Sequence, residues 1–163
     1  MNNAPNSDRA DWFLDEIVVP TVAEFSREIG DIRRGMLAAV VVGSLADHIF
    51  HARPTTRRGA TREGDFREKL AVLSRDYAIV RDVGDAAKHA KLFRKSARLT
   101  DAQHVRQNVN LLVTNDGKLI VTNKGEAILA VGEVVVALPG GEQGLHEAIQ
   151  RALTFLVDLM ARN

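Results

Sequence analysis

The chain has 163 residues, 45% apolar and 26% charged, a balance that fits one soluble domain with a core of its own. A formal net charge of +1 excludes a uniformly basic nucleic-acid binder, and the absence of cysteine excludes disulfides, a thiolate nucleophile and a cysteine-based zinc site. The N-terminus lacks the basic-then-apolar order of a leader, and the apolar run Gly35 to Ala46 is shorter than the ~20 residues of a membrane span, so a cytoplasmic protein without a membrane segment is expected.

A tail over residues 1–7 precedes a helix that Ser7 or Asp8 can cap. Phe13, Ile17, Val18, Val22, Phe25 and Ile29 recur at three- and four-residue spacing, and Pro20 within them predicts a kink or a division. Gly30-Asp31 stops that helix and caps the next, Ile32 to about Ala52, which is apolar nearly all round and belongs at the centre of a bundle. Arg53-Pro54 ends it, and residues 53–62 form a basic loop. A third helix is expected from Glu63 or Asp65 to about Phe93, with Phe66, Leu70, Leu73, Tyr77, Val80, Gly84 and Ala87 on one stripe; Gly84 permits close approach of a partner helix. Val109 to Thr114 reads as a strand, Asn115-Asp116-Gly117-Lys118 as a hairpin turn and Leu119 to Thr122 as the return strand. Asn123-Lys124-Gly125 turns again, Ala127 to Leu138 supplies one or two more strands, and Pro139-Gly140-Gly141 stops them. A last helix shows Leu145, Ile149, Leu153, Leu156 and Met160 on one face, and no internal repeat is expected.

The expected fold is therefore a single α+β domain over residues 1–163. A helical bundle of about four helices spans residues 8–95, and an antiparallel β-meander over 105–138 is inserted before a closing helix at 142–162.

Charge is distributed unevenly. Residues 51–100 hold thirteen Lys and Arg against six acids, whereas residues 1–50 hold four Arg against eight acids. The stretch Arg81 to Arg98 concentrates the chemistry: Arg81, Asp82, Asp85, Lys88 and His89 stand close together, and Lys91, Arg94, Lys95 and Arg98 follow with no further acid. On one continuous helix at ~100° per residue, Arg81 and Lys88 fall beside the buried stripe, where charges have to be paired. Asp85 lies four residues from both Arg81 and His89, within reach of each. Two readings follow. In one, Asp85 neutralises Arg81 and locks the helix to a neighbour. In the other, Arg81, Asp82, Asp85 and His89 form a catalytic group, with Lys88, Lys91, Arg94, Lys95 and Arg98 binding phosphate or an RNA backbone.

Elsewhere, Asp47, His48 and His51 gather at a helix end without a third ligand at diagnostic spacing, so no metal is expected and the His residues serve the last carbonyls. Phosphate-loop and GxSxG signatures are absent, and Glu142 after Gly140-Gly141 repels phosphate.

A helical bundle with an Arg, an adjacent polar residue and a downstream His on one helix resembles the HEPN superfamily. The resemblance spans roughly residues 8–98 and implies a helical, usually dimeric protein that often cleaves RNA without a metal or cofactor. It implies that Arg81 holds the scissile phosphate, that Asp82 corresponds to the polar residue after the Arg, and that His89 moves a proton. The family motif sets four to six residues between Arg and His, whereas seven separate Arg81 from His89. The alternative is a non-enzymatic homodimeric interaction module in which the Arg-Asp-His cluster is structural.

Overall fold

A computed structural model describes residues 7–89 and 91–161. The tail expected over residues 1–7 lies almost wholly outside them, as does the expected end of the closing helix at Arg162. Ser7–Phe13 (α1), a π-turn over Leu14–Val18 and Val19–Arg27 (α2) form one unbroken helical run. Pro20 does not divide it. The Val19 amide reaches back five residues to the Leu14 carbonyl, and the widened turn makes room for the proline ring without a break.

The centre of the fold is α3, Ile32–Ala52, with the bounds its caps predict. Asp31 accepts a hydrogen bond from the Arg34 amide at 3.0 Å, which satisfies one of the free donors at the helix start. At 21 residues α3 is long and apolar enough to cross a membrane, more so than the Gly35–Ala46 run suggested; yet 56% of its most apolar window is buried inside the bundle. It packs on α1, α2 and three later helices.

The expected third helix is in fact two, α4 at Glu63–Leu73 and α5 at Arg75–Lys88. Ser74 between them is extended, and its hydroxyl caps α5 by accepting from the Tyr77 amide at 3.1 Å. A serine offers the backbone this alternative to continuing a helix. Leu73 and Ala87, placed on the stripe by a continuous helix, stand in the last turns of α4 and α5 and are exposed. Gly84 does lie at the α3–α5 crossing: a Cβ there would stand 3.0 Å from the Ala39 carbonyl oxygen and 3.1 Å from the Val40 Cα.

After α5 the chain folds back on itself. The backbones of Lys91 and Asp101 form an antiparallel bridge, the Leu92 amide donates to the Thr100 carbonyl at 2.9 Å, and Leu92 and Leu99 are buried. An antiparallel sheet in the order β1-β2-β3 follows, from Val105–Leu111, Leu129–Leu138 and Gly141–Gly144. The α+β architecture with a β-meander ahead of the C-terminal helix is therefore as expected. Its inner side buries Val105, Val134 and Val136. Two bonds moor it to the α2–α3 corner: the Val134 amide donates to the Ile29 carbonyl at 2.8 Å, and the Gln107 side chain donates to the Gly30 carbonyl at 2.7 Å. β3 runs directly into α6, Leu145–Ala161, whose expected apolar face lies against the bundle.

Within the meander the strands differ from expectation. The partner of β1 is β2, not Leu119 to Thr122. Residues 112–128 instead make two short hairpin arms, closed by the Val113–Leu119 and Val121–Ala127 bridges. Both arms turn through a glycine at positive φ, Gly117 at 81° and Gly125 at 80°. The arms are an eight-residue repeat, LLVTNDGK over 111–118 and LIVTNKGE over 119–126, where no repeat was expected. Three backbone bonds join them in a ring: the Leu112 amide donates to Ile128, the Ile128 amide to Ile120 and the Ile120 amide to Leu112, at 2.9–3.0 Å.

Gly84→Ala is expected to destabilise the fold despite the ~1 kcal/mol that Ala adds as a helix former, because its Cβ meets backbone that cannot yield; overpacking of this kind costs ~1–3 kcal/mol. Gly64→Ala, in α4 with nothing within 4 Å of the added carbon, is expected to stabilise it by up to ~1 kcal/mol. Urea unfolding of both variants checks the opposite signs.

Candidate functional site

The Arg81–Arg98 stretch builds a closed charge cluster. Tyr77, Arg81, Asp82 and Asp85 come from α5, Arg67 and Glu68 from α4, Asp47 from α3, and Arg94 and the Arg98 amide from the loop after α5. Asp82 is its hub, fully buried at 0% exposure. Its Oδ1 accepts from Arg81 Nε at 3.1 Å and from Arg94 at 2.7 Å, and its Oδ2 accepts from the Arg98 amide at 2.5 Å. Arg81 is 1% exposed. Its terminal nitrogens lie 3.0 Å from Glu68 and 3.1 Å from Asp82, within ion-pair distance, although neither is directed for a hydrogen bond. Asp85 takes Arg67 at 3.0 Å and Arg94 at 2.7 Å. Asp47 lies 3.9 Å from Arg67, too far for a hydrogen bond.

The electrostatics follow from burial opposed by pairing. Burial pushes Asp82 above the ordinary carboxylate value, against the pull of the Arg98 amide, Arg81 and Arg94. Burial would also raise Asp85, but Arg67 and Arg94 outweigh it and hold the carboxyl low. Asp47 rises with burial, partly offset by Arg67. Burial takes the Tyr77 hydroxyl up to about 12, against the pull of Arg67. Burial alone would lower Arg67, yet the charge of Asp85 raises it above its ordinary value. Three guanidinium groups thus face four carboxylates, and among the described residues the cluster has no guanidinium left over for an incoming phosphate.

The structure brings together only part of the predicted site. Arg81, Asp82, Asp85 and Arg94 meet in the cluster. Asp85 faces Arg67 and Arg94, not the expected Arg81 and His89, because α4 supplies a guanidinium from across the helix pair. Lys88 does not sit beside the buried stripe but is exposed, since α5 ends there. His89 caps that end in an extended conformation, its amide donating to the Asp85 carbonyl at 2.9 Å while its side chain is exposed. Lys91, Lys95 and the Arg98 side chain are exposed as well. Arg81 and His89 therefore do not face a common space. Asp47, His48 and His51 line one depression with Arg9, but each has its own partner: Asp47 faces Arg67, His48 stacks on Phe13 at 3.9 Å, and His51 pairs with Glu63. Among the described residues no group of three or more His, Asp or Glu gathers for a metal.

A second surface carries the opposite chemistry. Alternation along the two arms and the adjoining ends of β1 and β2 puts the cross-strand pairs Leu111–Leu129, Val113–Leu119 and Val121–Ala127 on one face, and Leu112, Ile120 and Ile128 on the other. The large members of the first face are 47–57% exposed, and none belongs to the core. Monomers seldom expose apolar side chains in so continuous a patch unless it binds something. The turn signals of this region are local, whereas what sets it apart as a unit is the repeat LxVTNxG.

No family model matches the chain, and neither a curated protein nor a solved structure matches it.

Asp82→Ala strands Arg81 in the interior without its hydrogen-bond partner; a loss of ~3–5 kcal/mol is expected, a fall of about 10 °C in melting temperature. His89→Ala, at an exposed side chain, is expected to stay within ~0.5 kcal/mol of the parent; differential scanning calorimetry compares the two. Asp85 has a folded pKa below its ordinary 3.8, so its stabilisation is complete above that value and is lost as pH falls through the folded one. Asp85→Asn should therefore flatten the acid limb of the urea midpoint against pH, and an unchanged limb would mean that Arg67 and Arg94 do not hold that charge.

Proposed function

We propose that this protein is a non-catalytic interaction module that docks through the apolar face of its hairpin arms. The observation that carries the reading is the exposure of that face by a segment that adds nothing to the core. Two-stranded hairpins standing alone are marginal in water, so a segment built this way gains its burial from a partner. The charge cluster supports the same reading from the other side. Arg81, the group that would have to grip a scissile phosphate, is enclosed by Asp82 and Glu68, and a catalytic Arg needs that space for substrate.

A second reading, RNA binding with or without cleavage, is favoured by one observation: Lys88, Lys91, Lys95 and Arg98 all reach solvent along one segment. The two readings predict opposite salt behaviour. Contacts to an RNA backbone weaken steeply as salt rises, whereas apolar docking does not.

The test pairs two measurements. In the first, residues 112–128 are replaced by Asn-Gly, which closes β1 on β2 at the Leu111–Leu129 pair. The melting temperature is expected to stay within ~3 °C, a shift that corresponds to about 1 kcal/mol; collapse of the bundle would make the arms part of the core and end the docking reading. In the second, labelled RNA is titrated by anisotropy at low and high salt, with His89→Ala beside the parent. No salt-sensitive binding is expected. Tight, salt-sensitive binding, with cleavage lost in His89→Ala, would put the RNA reading in its place.

A further inference from the structure

We infer that the cavity between the start of α5, the loop after that helix and the β2–β3 turn binds a small phosphomonoester through Arg75 and Arg98. None of its lining residues belongs to the hairpin arms, so the inference does not rest on the docking reading.

The two guanidinium groups carry it. Arg75 is the first residue of α5, and Arg98 stands in the loop that Asp82 holds, so they come from separate elements and not from one basic run. Both residues are exposed, and both line one open cavity of about 440 Å³. Among the described residues neither guanidinium has an ion pair or a hydrogen bond. Their backbones, by contrast, are fixed. The Arg98 amide donates to the buried Asp82 carboxylate, and Arg75 follows the residue that caps α5.

Among the described residues no acid lines this cavity. That sets it apart from the depressions at Asp47, at Glu28 and Asp31, and at Glu68, where carboxylates stand beside the cations. The carboxylates closest to its walls are already engaged. Asp76, next to Arg75, accepts from the Gln143 side chain at 2.6 Å. Glu68 accepts from the hydroxyl of Ser96, a wall residue, at 3.2 Å and faces Arg81.

Two unpaired positive charges on one cavity match a dianion. A phosphate monoester carries about −1.5 to −2 charges at neutral pH and offers three acceptor oxygens. A carboxylate carries a single charge, which one guanidinium fork satisfies. A phosphodiester of an RNA backbone also carries a single charge per group. The remaining wall is uncharged, with Ala97, Leu138 and Pro139 on it. A volume of about 440 Å³ lies within the ~300–1,000 Å³ of small-molecule sites, so an organic group has space beside the phosphate.

The experiment titrates the isotope-labelled full chain with phenyl phosphate and follows the amide signals of Ala97, Arg98 and Gly140 by NMR. Saturable shifts centred on these residues are expected, with a Kd on the order of 1 mM. Arg75→Gln and Arg98→Gln are each expected to weaken binding roughly tenfold, the scale of one charge-assisted contact. Both should leave the melting curve in place, because neither side chain has a partner to lose and Arg98→Gln keeps the amide that Asp82 uses. Lys95→Gln, at an exposed cation of the same loop outside the cavity, is expected to change binding by less than about twofold. Inorganic phosphate and benzoate are expected to bind more weakly, the first for want of an organic group and the second for want of charge. Absence of saturable shifts at ~20 mM ligand, far above the expected Kd, overturns the site, as does a loss in Lys95→Gln equal to that in the arginine variants. Unfolding of either arginine variant would make that guanidinium a structural group and overturn its assignment. Benzoate as tight as phenyl phosphate overturns the phosphate, and inorganic phosphate as tight overturns the organic group. A single-stranded RNA that displaces phenyl phosphate at micromolar concentration overturns the small-molecule ligand and gives the cavity to a nucleic-acid backbone.

Discussion

The Asp82 carboxylate is the constraint on which the lower half of the molecule depends. It binds its own helix through Arg81 and the following loop through Arg94 and the Arg98 amide. That loop has little else to fold it: Leu92 and Leu99 are its buried apolar anchors, and it contains no helix or extended strand until Ala102. Because residues 91–101 are drawn onto α5, Val105 begins β1 beside the bundle, and the register of β1 on β2 follows from there. A buried carboxylate is costly, and an apolar side chain of equal volume often serves stability as well or better. What an apolar replacement lacks is direction. Donors from two elements converge on two oxygens, so the loop has one way to lie.

This arrangement also explains why a concentration of basic residues does not make a basic site. Arg67, Arg81 and Arg94 turn inward toward carboxylates on three helices, and the lysines left in solvent stand apart from them. Sequence neighbours such as Arg81 and His89 are separated by the end of a helix, which carries one inward and leaves the other at the surface. Apolar chemistry is divided in the same way between the core and the arms, which share no buried residue.

Much of the fold was legible. Asp31 and Arg53 bound α3 to the residue, Asn115 to Lys118 and Asn123 to Gly125 do turn, and the stripe from Leu145 to Met160 faces the core. These signals are local and strong, so tertiary context has little to override. The break at Ser74 escaped because the apolar rhythm runs across it without a gap, and a single serine is weak punctuation until its hydroxyl is seen to cap Tyr77. The misplacement of Lys88 and the pairing of Asp85 with His89 have another source: both assume a helix that runs on to about Phe93, whereas α5 stops at Lys88. The burial and pairing of Arg81 were anticipated, but its partner Glu68 lies on α4, thirteen residues upstream, and no spacing rule on one helix reaches that far. The unit the arms share, LxVTNxG, spans both turns, and neither turn signal alone reveals it.

The length of that unit limits how this chain can change. Eight is an even number, and side chains on extended backbone swap sides at every step. Duplicating or deleting one whole unit would leave the remaining leucines and valines facing as they do now, whereas a slip of a single residue would turn them inside out. Tolerance to insertion between Leu111 and Leu129 is thus quantised: the arms can gain or lose members, but they cannot drift.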